Sequence, residues 1–404
     1  MTTTRPTWAY TLPAALLLMA PFDVLAALAM DIYLPVVPAM PGILNTTPST
    51  IQLTLSLYMV LLGVGQVVFG PISDRMGRRP VLLAGGAIFL AASLGAAWSS
   101  TATGIVAFRL LQALGASAAL VATFATVRDV YASRNEGVVI YGLFSSILVF
   151  VPALGPIAGA LISEFLGWRA IFVTLAALAL PALVNASFRW HETRPLDETK
   201  TRRSVLPIFA STPFWVYTVA FSAGMGTFFV FFSTASRVLI GEANYSEMGF
   251  SLAFATVALV MIVTTRFANF FTARWGIAGC VGRGMALLVC GAVILGIGEL
   301  FGSPSFFSFI MPMWIMAVGI VFTASVTANG ALAQFDDIAG SAVALYFCIQ
   351  SLIVSIVGTL AVTLLNGDTA WPLICYATTM AVLVSAGLAV LRSRDVPVER
   401  PPVV

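Results

Sequence analysis

Gly70-Pro71-Ile72-Ser73-Asp74-Arg75-Met76-Gly77-Arg78-Arg79-Pro80 carries the strongest local signal in the chain. It joins two apolar runs, 49–70 and 80–98, each about the twenty residues that a helix needs to cross a hydrocarbon core about 30 Å thick. Arg75, Arg78 and Arg79 in so short a connection bias it to one side of a bilayer. Its glycines, Gly70 and Gly77, let the chain turn tightly. Asp74, close to a helix end, can pair with an arginine or cap a neighbouring helix N-terminus. Arg128, at the same end of the fourth apolar run, is a candidate partner.

Outward from this connection the pattern repeats. Apolar segments near 12–37, 49–70, 80–98, 104–127, 138–163 and 169–187 are followed by others near 210–232, 248–267, 276–300, 305–330, 339–365 and 370–391. With 59% hydrophobic and 9% charged residues, against about 25% charged in a soluble domain, no water-soluble surface can be built. The expected class is an all-α membrane protein of twelve transmembrane helices. Asp23 and Asp31 lie within the first segment and no small-residue cleavage site follows it, so it is read as a span and not as a removable signal. The most polar stretch, from Arg189 to Arg203, holds the sole histidine, His191, and the sole lysine, Lys200. The expected organisation is a six-helix half over 1–188, a linker over 189–207, a second six-helix half over 208–392 and a tail over 393–404.

Lysine and arginine are unevenly shared between alternate connections. One side collects Arg5, Arg75, Arg78, Arg79, Arg128, Arg134, Arg189, Arg194, Lys200, Arg202, Arg203, Arg266, Arg274, Arg283, Arg392, Arg394 and Arg400, and the other only Arg169 and Arg237. Cytoplasmic loops carry such an excess, which predicts that both termini are cytoplasmic. The net charge of +3 therefore speaks of orientation, and there is no basic stripe for nucleic acid. Cys280, Cys290, Cys348 and Cys375 are scattered without a C-x-x-C pair, so neither a disulfide nor a metal role is expected. A single histidine, no H-E-x-x-H and no phosphate loop argue against an enzyme and against a cofactor; of the acids, only Asp336-Asp337 remotely resembles a paired site. Without a nucleotide site, transport of a small molecule must be driven by an ion gradient, and acids within the membrane point to protons.

The two halves look related. Asp74-Arg75-Met76-Gly77 after the second segment is matched by Ala273-Arg274-Trp275-Gly276 after the eighth. Transporters built from two six-helix repeats show such symmetry, with the substrate site expected between the repeats near the bilayer midplane.

Charges inside the spans carry the functional expectation. Arg109-Leu110-Leu111-Gln112-Ala113-Leu114-Gly115 opens the fourth span, and a buried arginine costs at least about 2.5 kcal/mol unless paired or hydrated. Asp31 should lie at similar depth and is its expected partner; Asp23 lies nearer the middle. Eight residues apart on a helix, the two acids differ by about 12 Å in height and about 80° in azimuth, so they can line one cavity without touching. Low dielectric disfavours a charged carboxylate and a nearby cation favours it, and a carboxyl between those influences can exchange a proton. In the fifth span, Pro152, Gly155, Pro156 and Gly159 allow bending and close helix approach. Phe22, Tyr33, Tyr58, Phe124 and Phe144 are pocket candidates for a drug-sized ligand, as is the run Phe228, Phe229, Phe231 and Phe232. The tyrosines are favoured because a buried phenol seeks a hydrogen-bond partner.

The stretch from Gly70 to Pro80 resembles the loop signature of the major facilitator superfamily, the stretch opening at Arg109 resembles its second motif, and Pro152 to Gly159 resembles the glycine-proline motif of its antiporter branch. Ala20-Pro21-Phe22-Asp23, Asp31-Ile32-Tyr33-Leu34-Pro35 and the segment from Gly330 to Gly340 are similar to exporters of chloramphenicol and florfenicol among the drug/proton antiporters. This resemblance implies a bacterial inner-membrane exporter of phenicols that confers resistance and acts as a monomer. It further implies that Asp23, Asp31 and Arg109 couple protons to drug, and that Gly70, Asp74, Arg75, Gly77, Arg78 and Arg128 gate conformation. The chain departs from the related exporters in two places: Asp23 stands where a glutamate is common, and Ala273 replaces the loop acid in the second half. An uptake symporter sharing the fold is the competing reading.

Overall fold

The computed structural model describes residues 8, 10–131, 135–194, 206–335 and 339–393. Arg5, Arg134, Lys200, Arg202, Arg203, Arg394, Arg400, Asp336 and Asp337, with most of the linker and the tail, lie outside the described residues.

Every regular element among the described residues is helical. The long helices are α1 (Leu12–Asp31), α2 (Pro48–Met76), α3 (Arg78–Trp98), α4 (Ala102–Tyr131), α5 (Asn135–Leu166) and α6 (Trp168–Arg189), then α7 (Thr212–Ser236), α8 (Glu247–Arg266), α9 (Ala268–Phe301), α10 (Met311–Leu332), α11 (Ala339–Leu364) and α12 (Trp371–Ser393). Eleven of these are long and apolar enough, over the described residues, to cross a membrane, and in α5 the described apolar stretch is Phe150–Leu166. The protein is thus a multi-pass membrane protein whose backbone groups are satisfied within helices, as a bilayer demands. It divides into two compact units, Met1–Thr201 and Arg202–Val404.

Small residues set the packing inside each unit. In the first, α3 and α4 cross where Gly85 faces Gly115; a Cβ on Gly85 would come within 2.7 Å of the Gly115 carbonyl oxygen, and one on Gly115 within 2.6 Å of the Gly85 carbonyl. In the second, α9 and α10 cross at Gly284 and Gly319 with corresponding approaches of 2.8 and 2.7 Å. Backbones this close gain van der Waals contact that lipid cannot replace. The internal repeat announced by two Arg-x-Gly turns therefore extends to a matched pair of glycine crossings. The turns match too: Gly77 has φ 109° and Gly276 φ 66°, left-handed values that favour glycine.

The connection between α2 and α3 is shorter than its glycines predict. α2 continues through Gly70 and Pro71 to Met76, and Gly77 alone makes the turn into α3. Gly70 is helical and makes no turn. In unit 2, Gly276 breaks α9 internally, so residues 268–275 are a helical segment ahead of the span.

α1 packs against α4, α5 and α6. Its C-terminal turn is approached by α5: a Cβ on Gly155 would lie 2.8 Å from the Asp31 Cβ, and one on Gly159 would collide with the Ile32 carbonyl oxygen. The phenylalanines of α7 form unit 2 core, with Phe231 stacked on Phe254 at 5.2 Å and on Phe309 at 5.8 Å.

Candidate functional site

Unit 1 gathers several of the candidate residues into two places. The first is the cage around Arg109 on α4, which is 1% exposed. Its Nη1 donates to the Ala29 carbonyl of α1 at 2.8 Å and to Gln112 Oε1 at 2.7 Å. Gln112 Nε2 donates onward to Ser93 Oγ on α3 at 2.8 Å. The guanidinium lies over the Tyr58 ring at 4.4 Å and the Tyr33 ring at 5.5 Å. Tyr58 is itself held by donating to the Ala26 carbonyl at 3.0 Å.

The expected pair between Arg109 and Asp31 does not form: among the described residues no carboxylate lies within ion-pair distance of this guanidinium. The depth is as expected, since Arg109 reaches Ala29, two residues before Asp31. Direction differs, because Asp31 faces Gly155 of α5 while Arg109 arrives from α4. Two charge-assisted hydrogen bonds, worth about 1.5–3 kcal/mol each, and two desolvated π faces, worth about 2 kcal/mol, offset the burial of the cation without an anion. Its Nε and Nη2 have no hydrogen-bond partner.

Asp23 is 2% exposed, and its Oδ2 has no hydrogen-bond partner among the described residues. Its neighbour Phe22 turns into the bundle against Gly86 and meets Trp190 edge-on at 6.1 Å. Phe124 and Phe144 pack together at 5.4 Å. Of the aromatic candidates, Tyr33 and Tyr58 join Arg109, whereas the three phenylalanines lie in other contacts. Pro152 and Pro156 sit within the continuous helix α5.

The second place is the basic end of unit 1. Arg78, 2% exposed, donates from Nη1 to Asp74 Oδ1 at 2.6 Å and to Ser73 Oγ at 3.1 Å, and from Nε to Asp129 Oδ2 at 2.8 Å. Asp74 is thus paired with Arg78 and not with Arg128, which instead reaches Asp129 at 3.4 Å. Arg75 is exposed, and its carbonyl accepts from Arg194. Glu192 accepts the backbone N–H groups of Arg78 and Arg79 at 2.8 and 3.2 Å. Asp129, Gln112 and Glu192 were missed as site residues. Asp129 directly follows Arg128, and Gln112 lies one helical turn from Arg109, so both carried a readable signal; Glu192, in the most polar stretch of the chain, carried none.

Unit 2 repeats the turn without the acids. Arg283 lies over the Trp275 ring at 4.4 Å and donates to the Gly279 carbonyl at 3.2 Å, and Ala273 occupies the position of Asp74.

Three kinds of comparison relate the chain to known proteins. The sequence profile of the Major Facilitator Superfamily matches residues 23–359. The chloramphenicol resistance protein of Pseudomonas aeruginosa is 48% identical over 93% of this chain and 90% of its own length, and multidrug resistance protein D of Escherichia coli (strain K12) is 27% identical over 83% of this chain and 85% of its own. Among solved structures, the crystal structure of a D-xylose-proton symporter matches with a TM-score of 0.76 over 93% of this chain and 97% of that one, at 14% identity, a likeness of fold alone.

Proposed function

Because this chain belongs to the major facilitator superfamily, we propose that it exports phenicol antibiotics, chloramphenicol and florfenicol, across the bacterial inner membrane in exchange for protons, by alternating access. The observation that carries this reading is the 48% identity, along nearly the whole chain, with a protein named for chloramphenicol resistance. The roles follow from the buried polar groups of unit 1. Asp23, a buried carboxyl with an unpartnered oxygen, is the group on which proton and drug occupancy exclude each other. Such a group in a bilayer costs about 2.5 kcal/mol or more and is kept for function. Arg109 sets the electrostatic field of that interior, with Asp31 as the second exchangeable acid and Tyr33 and Tyr58 beside it. Asp74, Arg78 and Arg128 work at the gate, with Asp129 added to them. The arginines gathered at that end support its assignment to the cytoplasm.

Drug accumulation in energised cells tests the reading. Cells carrying the protein should hold less chloramphenicol than cells without it, and a protonophore should abolish the difference. Higher accumulation would make the protein an uptake porter, and equal accumulation before the protonophore would end the proposal.

A further inference from the structure

The five residues that leave α6, Trp190-His191-Glu192-Thr193-Arg194, do not form the solvated start of a linker. Trp190 is 1% exposed and meets the ring of Trp8 edge-on at 5.3 Å. Tyr10 stacks on His191 at 5.8 Å, and its hydroxyl donates to the Arg189 carbonyl at 2.5 Å. Thr193 Oγ1 donates to Thr126 Oγ1 of α4 at 3.4 Å. Anchored in this way, the segment carries Glu192 over the start of α3. Oε1 accepts the N–H of Arg78 at 2.8 Å and that of Arg194 at 2.9 Å, while Oε2 accepts the N–H of Arg79 at 3.2 Å. Arg194 returns the contact by donating to the Arg75 carbonyl, and Arg79 Nη2 donates to the Ser187 carbonyl at 2.7 Å.

The second unit shows that this carboxylate is not required to make the turn. A Cβ on Gly77 would strike the Glu192 carboxylate, whereas nothing lies within 4 Å of the corresponding position at Gly276, which turns in the same left-handed way. What the first turn has in addition is Arg78, buried between two aspartates. A carboxylate on the first N–H groups of a helix fixes where that helix begins, and hence where its first side chain emerges.

We infer that Glu192 is a positioning residue for the gate: acting through the backbone of Arg78, it aims that guanidinium at Asp74 and Asp129 and ties the end of α6 to the α2–α3 turn. This rests on the export function and gating role proposed above.

The test is chloramphenicol export into pH-loaded vesicles together with amide hydrogen exchange of residues 74–82, on purified protein. Glu192→Ala should lower the maximal rate about tenfold, the loss of roughly one charge-assisted hydrogen bond, with KM unchanged. Combined with Arg78→Ala it should be no slower than Arg78→Ala alone, because both act through the one guanidinium of Arg78. Exchange over 74–82 should rise in Glu192→Ala. If that variant is poorly made, Glu192→Gln, which keeps one acceptor, should show an intermediate loss of rate. Wild-type rates in Glu192→Ala, or losses that multiply in the double variant, would overturn the inference. Should the wild-type protein itself export no chloramphenicol, the functional proposal fails separately, and unaltered exchange in Glu192→Ala then decides against Glu192.

Discussion

Arg109 and Arg78 are both buried cations, yet they are held in opposite ways. Arg109 has carbonyl oxygens and tyrosine rings, and Arg78 has two carboxylates. A lysine keeps the charge of Arg109 but not its planar guanidinium, so Arg109→Lys should lose the stacking over the Tyr58 and Tyr33 rings and with it most resistance at normal expression. Full resistance in that variant would deny a geometric role. Around Arg78 the two acids differ in exposure, 5% for Asp129 against 47% for Asp74. Breaking a buried pair costs about 3–5 kcal/mol and an exposed one about 0–1 kcal/mol. Asp129→Asn should therefore lower the melting temperature of purified protein clearly more than Asp74→Asn, and the reverse order would show that the burial has been misjudged. Asp23→Asn keeps shape and removes titration. It should abolish phenicol resistance without lowering protein level, and retained resistance would remove Asp23 from the coupling mechanism.

At the scale of helices, glycine does two different jobs in this chain. Gly159 is a contact point, where a methyl would strike the Ile32 carbonyl oxygen of the segment following α1, and Gly155 sits against Asp31. Gly159→Ala should push α5 away from α1 at a cost of about 1–3 kcal/mol, read as a lower melting temperature with reduced export. Gly70, by contrast, is helical with nothing within 4 Å of a Cβ position. Gly70→Ala should be stabilising by about 0.5–1 kcal/mol, and a marked loss of stability there would restore the reading of Gly70 as a turn residue. The first motif is thus the end of one helix and the beginning of another, joined by Gly77. Two of its arginines, Arg78 and Arg79, follow the turn, so Arg78 emerges from the first turn of α3 toward Asp74 and Asp129.

Over the whole molecule, proton coupling through a buried acid predicts pH-dependent drug binding. Binding of chloramphenicol to purified protein should depend on pH, and this dependence should vanish in Asp23→Asn. A flat profile in the wild type would route the proton away from the drug site. The membrane class, the helical segments and the repeated Arg-x-Gly turn were legible in the sequence. Apolar length adds up residue by residue, and a glycine turn is local chemistry. The segment cut at Gly276 even falls on the break in α9. Partner choice was not legible. Arg109 meets Ala29 across 80 residues, Arg78 meets Asp129 across 51, and Glu192 meets the Arg78 amide across 114. Such contacts depend on the azimuth and depth of several helices at once, and these are set jointly by crossings such as Gly85 with Gly115 and Gly284 with Gly319. Which charges lie in the membrane can be read along the chain. Which groups answer them is settled in three dimensions, because a hydrogen bond of about 3 Å is lost by a rotation or shift that no hydropathy pattern records.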